Sequence, residues 1–143
     1  MLDILGVLFQ RVQLSHFYYL CGMDTIFIAG NVPSSKNSKV WTGKYLVHSK
    51  TVRNYISKTK QDWLENKEKF LQLIKDKEMP YNIEFTFIRN SKRKFDYINP
   101  CQTVQDLMVQ YDYIQDDNCD CILPSFGKYS NDKENAGVII KVL

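Results

Sequence analysis

Residues 81–89, YNIEFTFIR, constrain the fold most tightly, because their side chains alternate with a period of two. Tyr81, Ile83, Phe85 and Phe87 fall on one face, while the opposite face is mixed. Such a strand belongs to a sheet with one face covered and the other half-covered. Helical spacing supplies the cover. Behind Ser49, a good N-cap, stand Val52, Tyr55, Ile56, Trp63, Leu64, Phe70, Leu71 and Ile74, with a break expected near Glu65–Lys69. A second helix is expected after Asn99-Pro100, with Asn99 as cap and Pro100 at the first helical position. Val104, Leu107, Met108 and Tyr111 give it one apolar face, and Asp106 lies on a different side.

Further strands are predicted over 25–29 (TIFIA), 119–126 (CDCILPSF) and 137–143 (GVIIKVL). NVPSSKNSK reads as a loop, and VWTGKYLVH as a short hairpin or extended excursion turning at Thr42-Gly43. The order β, loop, α, β, α, β, β predicts a mixed α/β (α+β) domain, a small mixed sheet with two main helices. A length of 143 residues with 44% hydrophobic content accommodates one such core, and residues 23–143 are read as a single domain.

The first 22 residues stand apart. They are apolar and aromatic, but Asp3 occupies the place where a signal peptide needs positive charge, and Arg11 and Gln13 interrupt the run. They read as an N-terminal extension contributing little to the fold, with an amphipathic helix and a start at Met23 as alternatives. No apolar run approaches the roughly 20 residues of a membrane span, so no membrane partner is expected. Cys21, Cys101, Cys119 and Cys121 form no CxxC pair, and His16 and His48 lack zinc-module spacing. Reduced thiols and a cytoplasmic location are the expectation.

Charge is segregated along the chain. From Thr25 to Gln61 there are seven cations and no acid; a second basic cluster comprises Arg89, Lys92, Arg93 and Lys94. From Asp96 to Gly127 the sign inverts: Asp96, Asp106, Asp112, Asp116, Asp117 and Asp120 meet no Lys or Arg. Basic flanks suit a polyanion and an acidic centre suits divalent cations, whereas solvated faces would produce the same pattern without function. Asp96, Asp106, Asp116 and Asp117 fall at strand and helix ends, where clustered carboxylates repel unless a hard cation neutralises them. Oxygen ligands without histidine favour Mg²⁺ or Mn²⁺, the ions that activate water at a phosphodiester. The bland alternative makes Asp116-Asp117 a turn cap. A GxxxxGK[ST] phosphate loop is absent, which removes support for nucleotide metabolism.

Taken in order, VPSSKNSK, the basic turn SKRK, Asp96-Tyr97-Ile98-Asn99, Asp106-Leu107, Asp116-Asp117 and GVIIKVL resemble the RusA-type Holliday junction resolvases, from about Asp24 to Leu143. That resemblance implies a Mg²⁺-dependent endodeoxyribonuclease, homodimeric, resolving branched DNA in recombination and repair. It assigns Asp96 and Asp117 as principal metal ligands, with Asp116 and Asp106 as neighbouring ligand or base. Ser34, Ser35, Lys36, Asn37, Lys92, Arg93, Lys94 and Asn99 form the expected DNA-binding set, and Tyr97 either stacks on a base or packs. Val104, Leu107 and Met108 either form core or face the dimer partner. Two positions depart from the family pattern: its second core aspartate falls on Ile98, and its assisting lysine on Gln102. The rival expectation is therefore a catalytically silent protein that binds junctions.

Overall fold

A computed structural model describes residues 22–36 and 38–143, so the N-terminal extension and Asn37 lie outside the described residues. In chain order these form β1 (Thr25–Ala29), β2 (Lys39–Trp41), β3 (Leu46–His48), α1 (Lys50–Ile74), β4 (Tyr81–Arg89), α2 (Ile98–Gln110), β5 (Ile122–Phe126), β6 (Ser130–Asn131) and β7 (Gly137–Val142). The main sheet runs β1-β7-β4-β5, with β6 also on β4; β2 and β3 form a separate hairpin. β7 is antiparallel to both β1 and β4, while β5 and β6 lie parallel to β4. The described residues form one mixed α+β domain with two helices.

The alternation in β4 sets the register of its neighbours. Ile26, Ile140 and Phe85 line up across three strands, as do Ile28, Val138 and Phe87, and Ile83 meets Val142. All eight are buried. The other face is only half-covered, as the mixed residues of β4 require. Two helices close the apolar side. Tyr55, Trp63, Phe70 and Ile74 come from α1 and Val104, Leu107 and Met108 from α2. Tyr113 joins them: its ring lies 5.3 Å from Trp63 and 5.0 Å from Phe70, and its hydroxyl donates to the Trp63 carbonyl.

Several expectations need correction. α1 continues unbroken for 25 residues through Glu65–Lys69. That stretch contains no Gly or Pro, and Asp62 and Asn66 reach the edge of β1: Asp62 accepts the Ala29 N–H at 2.9 Å and Asn66 donates to the Phe27 carbonyl at 3.4 Å. Leu64 and Leu71 are exposed on the outer side of that helix. Ser49 does cap it, accepting the Val52 N–H. α2 starts at Ile98, with Tyr97 at the cap position in helical geometry, so Asn99 is not the cap. Pro100 remains in the first turn, where its missing N–H costs nothing. Residues 119–121 form a turn, with Cys121 and Ile122 N–H groups both on the Asn118 carbonyl, and the strand opens at Ile122. β6 was not anticipated, being two residues long. No helix among the described residues is long and apolar enough to cross a membrane.

Candidate nucleic-acid interface

Three stretches distant in sequence converge on one cleft because the loop after β1 is tied down at both sides. The Val32 carbonyl accepts Arg89 Nη1 at 2.6 Å, the Pro33 carbonyl accepts Thr103 Oγ1 at 2.9 Å, and the Ser35 N–H donates to the Asn99 carbonyl at 3.0 Å. The Lys36 N–H turns back onto Ser34 Oγ. The loop is thus strapped across the end of β4 and the start of α2. A cleft of about 760 Å³ results, lined by Ser34, Lys36, Arg93, Lys94, Asp96 and Asn99. Six of the sequence-predicted site residues share it. Ser35 contributes its backbone to the strap, and Lys92 is exposed on the same basic turn outside the lining.

Aromatic side chains form one wall. Phe95 contacts Tyr97 and Tyr129 at 5.2 and 5.1 Å between centroids, and Tyr97 stacks on Phe126 at 5.1 Å. The Tyr97 hydroxyl accepts the Tyr129 N–H at 3.2 Å, which accounts for Tyr97 as a packing residue. The Arg89 guanidinium lies 4.7 Å from the Phe95 ring centre, and its partial burial pulls its pKa down. Arg89, Phe95 and Tyr129 also line the cleft, yet were missed as site residues. Arg89 was read only as part of the basic cluster, and Tyr129 enters through the unanticipated β6 region.

The carboxylates divide into three settings. Gln102 Nε2 donates to Asp106 Oδ1 at 2.8 Å and to Asp117 Oδ2 at 3.0 Å, so one neutral amide holds two acids together. Asp116 uses both oxygens within its own loop, accepting from the Asp117 N–H and from Asn118 Nδ2. That is the turn-capping role. Asp96 faces the cationic cleft. Among the described residues, no three of His, Cys, Asp and Glu stand close enough to hold a metal ion. Asp117 is therefore placed beside Asp106, where the sequence had coupled it first to Asp96. Ile98, which the sequence resemblance aligns with an acid, is 72% exposed. Val104, Leu107 and Met108 are buried in the core and cannot face a partner subunit.

No protein-family model matches this sequence, and no curated protein matches it.

Proposed function

We propose that this chain is a Mg²⁺-dependent, structure-selective endodeoxyribonuclease of the RusA type, acting as a homodimer on Holliday junctions or related branched DNA. The observation that carries the reading is the cleft, which gathers Ser34, Lys36, Arg93 and Lys94 around Asp96 and Asn99. Cations there neutralise phosphates and position a duplex arm without reading its sequence.

The donor chemistry fits a hard cation. Asp106 and Asp117 converge on a single amide, and Mg²⁺ is commonly held by one or two carboxylates with water filling the other positions. Asp106 and Asp117 would hold it with water completing the shell, while Asp96 stands in the cleft outside that pair. Such an ion, when bound, activates water and offsets charge at the scissile phosphate. Gln102 keeps the two carboxylates oriented, while Lys36, Arg93 and Lys94 engage the flanking backbone.

A second reading, a junction-binding protein without nuclease activity, is favoured by the absence of any three-ligand group among the described residues. Ile98 and Gln102, standing where the family carries an acid and a lysine, point the same way. The discriminating experiment incubates the protein with a synthetic four-way junction in Mg²⁺ or EDTA. Cleavage is expected in Mg²⁺ alone. Asp96→Asn and Asp117→Asn should lower it by orders of magnitude while metal-free junction binding survives or tightens. Parental cleavage rates in both variants would refute the site. A parent that binds but never cuts, beside an Ile98→Asp/Gln102→Lys variant that does, would establish the second reading.

A further inference from the structure

The β2–β3 hairpin stands off the main sheet and carries four large apolar side chains, Val40, Trp41, Tyr45 and Leu46, all exposed. An isolated two-stranded hairpin is marginal in water, and one that also displays Trp and Tyr is expected to have a partner. Its register says what kind. Trp41 pairs directly with Leu46, and Lys39 pairs with His48 two residues back. Alternation puts both pairs on one face, an apolar pair nearer the turn and the polar Lys39–His48 pair about 7 Å behind it. Lys44 lies in the turn itself, which Thr42 closes by accepting the Tyr45 N–H at 3.3 Å. No acid occurs between Thr25 and Gln61.

Two occupants could cover an apolar and cationic face. A second copy of the chain is the poorer fit, because a two-fold contact would set Lys39 and Lys44 against their own copies with no acid to offset them. An unpaired stretch of nucleic acid offers base faces for the aromatic rings and phosphates for the cations. We propose that this hairpin is a docking arm for single-stranded DNA, with Trp41 stacking on an unpaired base and Lys39 and Lys44 meeting its backbone. This rests on the DNA-binding reading of the neighbouring cleft and adds a preference for unpaired segments, such as those at a branch point.

The chain holds its own reporter. It has two tryptophans; Trp63 is fully buried at 0% exposure and Trp41 is 62% exposed. Tryptophan emission titrated with an oligothymidylate should be quenched to saturation, and a blunt duplex of equal length should leave it nearly unchanged. Trp41→Leu should weaken oligothymidylate binding about tenfold, the scale of one lost base stack, with duplex affinity unchanged. Trp41→Phe should retain most of the single-strand affinity. Residual Trp63 emission in both variants reports that the core is intact. If both DNAs bind while Trp41 emission stays constant and Trp41→Leu changes neither affinity, the docking arm is refuted and the cleft reading stands. If neither DNA binds, both fall. Emission that shifts with protein concentration alone, together with a doubling of mass, would assign the hairpin to a second copy and overturn the proposal.

Discussion

Gln102 sits between two anions without carrying charge of its own. Its amide supplies hydrogen bonds to Asp106 and Asp117 at 2.8 and 3.0 Å, where a lysine would supply charge as well. Gln102→Ala should therefore destabilise the protein by about 1–2 kcal/mol in urea unfolding, since two carboxylates lose a shared donor while still repelling each other. In an Asp106→Ala/Asp117→Ala background, where neither position can accept from Gln102, that cost should largely disappear, and the double-mutant cycle measures the difference. Ile98 offers the reverse experiment. At 72% exposure it has no cover to lose, so Ile98→Asp should shift stability by no more than about 0.5 kcal/mol and, on the proposed function, raise Mg²⁺ affinity by isothermal titration. A third residue reports on pH. Burial pushes the Cys101 thiol from 9.0 up to about 12, so the folded chain keeps a proton that the unfolded chain sheds above pH 9. The unfolded state then binds fewer protons, and stability falls as pH rises. Urea midpoints should be flat in this respect below pH 9 and decline from there towards pH 12. Cys101→Ala should soften that alkaline decline.

β7 is the element on which the sheet depends, because it pairs with both β1 and β4. Its first residue has no room for a side chain: a Cβ at Gly137 would stand 2.4 Å from the Phe27 ring and 2.6 Å from the Ile28 carbonyl oxygen. The ring can turn, but the backbone oxygen cannot withdraw without opening the β1–β7 ladder. Gly137→Ala should cost about 1–3 kcal/mol, read as a lowered urea midpoint, with faster amide exchange along β1. The strands and caps that the sequence revealed are those with local causes. β4 follows from alternation, and the Ser49 cap from a side chain three residues before the N–H it accepts. Contacts between distant residues were illegible. The continuity of α1 reflects Asn66 reaching Phe27, 39 residues away, and the strap from Ser35 to Asn99 decides what lies beside Asp96. In the site, the basic turn and Asp96 could be read from charge order, whereas the pairing of Asp106 with Asp117 depends on Gln102 reaching Asp117, 15 positions away across a loop. Asn99 shows the two scales competing. Its residue type suggests a cap, yet its carbonyl is recruited by Ser35 and the cap falls two residues earlier, on Tyr97.

At the scale of the whole molecule, a net charge of +3 is too small to drive binding to a polyanion. Placement matters more than the sum. Lys36, Arg93 and Lys94 line one cleft, Arg89 stands behind them against Phe95, and the acid-free hairpin continues from the same loop. Asp106, Asp116 and Asp117 are engaged with Gln102 and with their own loop, and none of them lines that cleft. On the proposed function, DNA affinity should therefore behave as though the protein were far more basic than its formula. Each neutralised phosphate releases counterions, so the logarithm of affinity should fall linearly with the logarithm of salt, by about 0.9 per contact for duplex DNA. Arg93→Ala/Lys94→Ala should reduce that slope by nearly two contacts, and the loss should be uniform across junctions of different sequence, because phosphate contacts carry no base information. Asp96→Asn should leave the slope unchanged and raise affinity modestly, since it removes a negative charge from the cleft without adding a contact. Filter binding over a salt series separates the two effects. A double variant with an unaltered slope would place the DNA on another face of the protein.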